Sequence, residues 1–138
     1  MYPEQLVMPM RQDLTGAGFT ELTSTADVEK YLREQKGSTL LVINSVCGCA
    51  AGAARPGVKM ALDKAAKKPD NLVTVFAGVD KDATAKAREF TLPYPPSSPS
   101  IALFKDGDLV HFIERHHIEG RSAEIIGNHL TEVFETLC

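Results

Sequence analysis

The sequence predicts an α/β sandwich in which helices cover a mixed sheet, and three observations carry that expectation. The run Thr39 to Val46, TLLVINSV, is nearly continuous in β-formers, the pattern of a strand buried on both faces. Helical segments alternate with this run and with NLVTVFAGVD (71–80), an order that brings parallel strands joined by crossover helices. Towards the other end, SIALFKDGDLVHFIE (100–114) holds two β-like runs around Asp106-Gly107, a pair that tolerates positive φ and so predicts an antiparallel hairpin at one edge.

The elements follow in order. Residues 3–17 read as a leading helix interrupted by Pro9, and FTEL after Gly16 and Gly18 as a short strand. STADVEKYLREQKG (24–37) has capping residues Ser24, Thr25 and Asp27, apolar Val28, Tyr31 and Leu32 at helical spacing, and Gly37 as a stop. After TLLVINSV come small residues and then VKMALDKAAKK (58–68), where Val58, Met60, Ala61, Leu62 and Ala65 supply an inward stripe. Pro56 and Gly57 are expected to kink or delay that helix. KDATAKAREFTL (81–92) is a short helix, and GRSAEIIGNHLTEVFETLC (120–138) is an amphipathic one with Ser122 and Glu124 at its start. At 138 residues the chain suits one core, so residues 1–138 are expected to form one domain with 1–24 as an N-terminal helical extension.

Composition narrows the function. Net charge is −3, from 15 basic and 18 acidic side chains, and the lysines of DKAAKKPD form a single basic cluster that reads as a solvated helix end. No nucleic-acid partner is implied. The start MYPEQLVMPMRQDL lacks a positive segment followed by an apolar core, and no run approaches the length of a membrane span, so a cytoplasmic location without a membrane partner is expected. Three cysteines do not make a disulfide framework, and in a reducing compartment Cys47 and Cys49 point to reactivity or metal binding. Cys138 is expected on a frayed terminus.

Cys47 falls at the end of the central strand where a helix begins. Unpaired N–H groups and the helix dipole there favour a thiolate, lowering a cysteine from about 8.5 into roughly the 3.5 to 7.5 range. No Asp or Glu lies between Thr39 and Lys59, and Arg55 adds positive charge. Cys47 is therefore the candidate nucleophile. With Gly48 alone between them, Cys47 and Cys49 can close a very small ring; strained exposed disulfides are oxidising, which favours donating or shuffling a disulfide over reducing others. Cys49 can alternatively resolve a mixed disulfide formed on Cys47.

The strand leading into a cysteine motif, followed by PPSSPSIALFKDG, a hairpin and a terminal helix, resembles the thioredoxin fold, a three-layer α/β sandwich. That resemblance implies that Pro99 is the cis-proline facing the redox cysteines and that the backbone of Ser98 receives a substrate strand. More narrowly, NSVCGCAAGAARPG with SSPSIALFKDG and RHHIEG, over almost the whole chain, resembles the bacilliredoxin family. The resemblance implies a cytoplasmic thiol-disulfide oxidoreductase that removes bacillithiol from protein mixed disulfides, or a disulfide isomerase. Its partners are then mixed-disulfide proteins and a low-molecular-weight thiol as co-substrate, with no metal, nucleotide or flavin cofactor. Arg55 is expected to hold the carboxylates of that thiol, and Asn44 joins Ser98, Pro99 and Arg55 as a candidate contact. The missing Trp before the motif, the one-residue spacer and the absence of an acid in LLVI depart from general thioredoxins and favour accepting or swapping thiol groups.

Two competing readings attach to the same residues. The thiols can be inert core groups, or Cys47 and Cys49 can join His111, His116, His117 or His129 in a four-ligand metal site. His116 and His117, read as neighbours on a strand, point oppositely and with Glu119 are taken as structural.

Overall fold

The strand β2 (Ser38–Asn44) is buried along its whole length, and the sheet is assembled around it. In the computed structural model, which describes residues 2–138, five strands lie in the order β1-β3-β2-β4-β5. Here β1 is Thr20–Glu21, β3 Asn71–Phe76, β4 Ser100–Lys105 and β5 Asp108–Ile113. β1, β3 and β2 run parallel, while β4 and β5 are antiparallel additions. The helices are α1 (Glu4–Thr15), α2 (Thr25–Glu29), α3 (Arg55–Lys64), α4 (Lys81–Glu89), α5 (Arg115–Ile118) and α6 (Ala123–Leu137).

Alternation along β2 creates two cores. Leu40 and Val42 face a cluster with Leu14, Val58, Ala61, Ile126, Leu130 and Phe134. Leu41 and Ile43 face Val28, Leu32, Ala83, Ala87 and Phe104 on the other side. The sheet is thus the middle of three layers, the arrangement that a strand apolar on both faces requires.

The leading segment is part of this plan. Leu22 N–H extends the β1 pairing by donating to the Thr74 carbonyl at 2.8 Å. Arg11 on α1 is buried and bonds Glu4 at 3.0 Å, Glu21 at 2.6 Å and Asp80 at 2.7 Å, tying helix, edge strand and the β3–α4 corner together. Burial opposes the Arg11 charge, but the Asp80 hydrogen bond is the larger effect and holds its pKa above the ordinary value.

Four expectations are corrected. Helix α1 runs through Pro9 without a break. A proline at that point forfeits a single N–H bond, and buried Val7, Arg11 and Leu14 anchor the face on either side of it. Helical backbone starts directly after Cys47, so Pro56 and Gly57 do not delay it; the accommodation is a wide π-helical turn, Ala50–Ala54, just before Pro56 enters the first turn of α3. A second π turn, Lys30–Glu34, prolongs α2. His116 and His117 lie on the one-turn helix α5 rather than on a strand, with ring centroids 3.9 Å apart. The cause is a reciprocal cap: the Glu114 side chain accepts the His117 N–H while His117 Nδ1 accepts the Glu114 N–H at 3.2 Å. Cys138 packs partly buried against the core rather than fraying, and that burial pushes its thiol up.

Close approach of α3 and α6 is set at Gly57, where an added Cβ would sit 2.8 Å from both Cβ and Cγ2 of Ile126. Gly57→Ala is therefore expected to destabilise the fold by about 1–3 kcal/mol, the usual cost of overpacking. Urea unfolding should show a lower midpoint at an unchanged slope; an unchanged midpoint would mean that the two helices separate freely.

Candidate active site

The carboxyl end of β2 delivers Asn44, Ser45 and then Cys47 to one end of the sheet. Cys47 occupies the cap position of the following helix, since its carbonyl accepts from Ala50 N–H at 3.1 Å and Ala51 N–H at 3.3 Å. The sulfur consequently sits where backbone donors are unpaired. Cys49, two residues on, points the same way, and the two sulfurs lie 2.8 Å apart. Gly48 has open space around it, so the short backbone excursion meets no obstacle.

The environment separates the two thiols. Burial alone would raise Cys47, but hydrogen bonds from Cys49, from the Ser45 hydroxyl and from the backbone amides of Ala50 and Cys49 outweigh it and hold its pKa below the ordinary thiol value. Cys49 moves the other way: burial comes first, then the hydrogen bond and the charge of Cys47, and both push it up. The opposing influences on Cys49 are the cation of Arg115 and then its own backbone amide. One sulfur is prepared to be a thiolate while its neighbour keeps its proton, the division of labour between an attacking and a resolving thiol.

The segment before β4 arrives at the same end. Ile43 pairs with Ser100, so Pro99 and Ser98 continue level with Asn44 and Ser45. The Ser98–Pro99 bond is cis, as is Leu92–Pro93. Arg115, just past β5, bonds this segment twice, its backbone N–H to Ser97 Oγ at 3.3 Å and its Nη1 to the Ser98 carbonyl at 3.1 Å. Its side chain stays 40% exposed and feels the charge of both thiols, Cys49 most. Arg115 was missed as a site residue. Its only signal in the sequence was membership of RHHIEG, where the adjacent histidines drew the attention.

Arg55 and Asn44 are placed differently from their expected role as substrate contacts. Arg55 is only 5% exposed, its Nε bonded to Asp13 Oδ2 at 3.0 Å and its Nη1 to Asn44 Oδ1 at 2.9 Å and the Ser45 carbonyl at 3.0 Å. Asn44 is buried too, its Oδ1 also accepting from Ser45 N–H and its Nδ2 donating to the Met10 carbonyl. A guanidinium this buried, with Nε and Nη1 committed to Asp13 and the strand end, is engaged within the protein rather than presented to a ligand's carboxylates. The correction is physical: Arg55 begins α3 on its inner side, beyond the partly exposed thiols, and turns back to the strand end.

The four-ligand Cys/His arrangement is not assembled either. Among the described residues the donor cluster found within 4.8 Å is Glu114, His116 and His117, without either thiol. His111 and His129 pair with each other instead, Nε2 to Nε2 at 3.0 Å.

Comparison with known proteins agrees with this geometry. Residues 2–138 match the family described as disulphide isomerase. A bacilliredoxin of Cytophaga hutchinsonii is 64% identical over 137 residues, 99% of this chain and 100% of that protein. The chain belongs to the bacilliredoxin family. A Bacillus cereus bacilliredoxin is 54% identical over 99% of this chain and 95% of its own length. Mitochondrial thioredoxin 3 of Saccharomyces cerevisiae superposes with a TM-score of 0.57 at 18% identity, over 91% of this chain and 99% of that one, which shows the thioredoxin fold. As a member of this family the protein is a thiol-disulfide oxidoreductase.

The asymmetry of the thiols gives a measurable outcome. With iodoacetamide at neutral pH, Cys49→Ser should keep a fast-reacting thiol, because a serine hydroxyl still donates towards Cys47. Cys47→Ser should alkylate slowly, its rate rising only above the ordinary thiol value of about 8.5. Fast reaction of Cys49 alone would reverse the assignment.

Proposed function

We propose that this bacilliredoxin removes a low-molecular-weight thiol, bacillithiol or one like it, from mixed disulfides on cytoplasmic proteins, with Cys47 as the attacking sulfur. The observation that carries the proposal is the pairing of a thiolate-favouring Cys47 with a proton-retaining Cys49 whose sulfurs lie 2.8 Å apart. In the first step the Cys47 thiolate attacks the small-thiol sulfur of the mixed disulfide. That S–S bond breaks, the client's thiolate leaves, and Cys47 carries the small thiol. In the second step Cys49 loses its proton to water and attacks Cys47 Sγ, expelling the small thiolate and closing the Cys47–Cys49 disulfide. A second molecule of the small thiol attacking the adduct is the alternative exit. Both routes are thiol exchange, in which thiolate, not metal or flavin, is the nucleophile.

Ser98 and Pro99 are proposed as the client-side contact, because the segment that carries them flanks the thiols. The cation within reach of an anionic small thiol is Arg115, in place of Arg55, since Arg115 is 40% exposed and acts on both sulfurs, with Glu119, itself exposed, paired to its Nε at 3.3 Å. A second reading, exchange of disulfides within one misfolded client, is favoured by the family description. It uses the same first attack but on a protein disulfide.

Cys49→Ser exposed to a client protein carrying the small thiol as a mixed disulfide should acquire one small-thiol adduct on Cys47, read by intact and peptide mass spectrometry. Arg115→Ala should slow that transfer more for a carboxylate-bearing thiol than for a neutral one. If no adduct forms while wild-type protein still rearranges scrambled disulfides, the isomerase reading replaces the carrier one.

A further inference from the structure

A chain of bonds leads from the N-terminal helix to the reactive sulfur. Asp13 on α1 accepts from Arg55 Nε at 3.0 Å and from Lys59 Nζ. Arg55 Nη1 then grips the strand end twice, at Asn44 Oδ1 and at the Ser45 carbonyl. Asn44 Oδ1 accepts from Ser45 N–H at 2.9 Å, so Ser45 is held at both its amide and its carbonyl. The Ser45 hydroxyl, fixed in this way, accepts from Cys47 N–H at 3.2 Å and so holds the backbone that carries the sulfur. Three elements distant in sequence, α1, the end of β2 and the start of α3, meet on one guanidinium.

We infer that Asp13 and Arg55 are positioning residues for the redox reaction, acting through Ser45 to hold the Cys47 sulfur at the mouth of its helix. The inference rests on Cys47 being the attacking sulfur. Neither side chain touches the substrate. Asp13 gives the guanidinium its orientation, since a planar fork with Nε fixed by a carboxylate can direct Nη1 at only one place. A lysine at position 55 would keep the charge and lose the fork. The N-terminal helix is thereby part of the active-site machinery as well as of the fold.

The signs of two effects separate this from a simple charge effect. Deleting a nearby carboxylate should, by electrostatics alone, make a thiolate easier to form. If Asp13 works by positioning, Asp13→Ala should instead make it harder. In a Cys49→Ser background, with alkylation followed on the peptide that carries Cys47, Asp13→Ala is expected to move the pH midpoint of Cys47 upward by about one unit, up to about tenfold slower reaction at neutral pH. Arg55→Lys should do the same despite its retained charge, and Arg55→Lys combined with Ser45→Ala should be no worse than the more damaging single change, the signature of residues acting in one line. Melting temperatures recorded alongside show that each variant is folded, and Asp13, at the protein surface, serves where Arg55→Lys does not fold. A midpoint that falls or stays put in Asp13→Ala while the melting temperature drops would overturn the inference and leave the network structural. A Cys49→Ser parent with no fast thiol at Cys47 would overturn the reading on which it rests.

Discussion

The geometry of the site depends on a buried cation at the end of the central strand. β2 must stop there, and the chain must turn so that Cys47 caps the next helix. Strand ends leave carbonyls and amides without ladder partners, and buried ones cannot be left unpaired. Arg55 takes the Ser45 carbonyl, Asn44 takes the Ser45 amide, and Asp13 neutralises the guanidinium that joins them. With its charge compensated by Asp13 and its Nε and Nη1 donors paired, Arg55 can sit inside the protein. The π turn between Cys49 and Arg55 is what brings the guanidinium back under the strand end from a helix that starts at the thiols.

Given that frame, the chemical difference between two cysteines separated by one glycine needs no base. Both are partly buried, and burial raises both. What differs is the hydrogen-bond supply: Cys47 faces two amides, a hydroxyl and its neighbour's S–H, while Cys49 faces mainly the charge that Cys47 develops. Arg115 limits how far Cys49 is pushed, so the second sulfur is not so reluctant an acid that it cannot act in turn. The same arginine holds the Ser98 carbonyl, which couples the charge balance of the thiols to the segment carrying the cis-proline.

The fold was legible because its strongest signals are local. TLLVINSV admits few readings, the Asp106-Gly107 turn has φ values of 50° and 86° as a hairpin of that kind needs, and Ile126, Leu130, Val133 and Phe134 of the α6 stripe are buried as their spacing requires, whereas Ile125 and His129, read as part of that stripe, are exposed. The thiols were legible for the same reason. What could not be read were relations across distance. Asp13 and Arg55 are 42 residues apart and nothing in either segment announces the other. Arg55 looked like an exposed helix-start cation because a sequence shows charge but not which side of the helix faces inward. The short helix α5 was hidden by the β-like run that leads into it, and with it Arg115; its cap, Glu114 with His117, is a departure from the Ser, Thr, Asp and Asn that mark helix starts.

The central claim is that the donors around Cys47, the S–H of Cys49 first and then the Ser45 hydroxyl and the backbone amides, favour its thiolate over that of Cys49. The most direct measurement is an NMR titration of reduced wild-type protein labelled with carbon-13 at cysteine Cβ, which follows each sulfur separately without alkylation or mutation. The account predicts that Cys47 titrates below a free thiol and Cys49 above it, with the second transition sensitive to the first because the two charges are in contact. Simultaneous titration of both near the value of an ordinary thiol, or Cys49 losing its proton first, would contradict it.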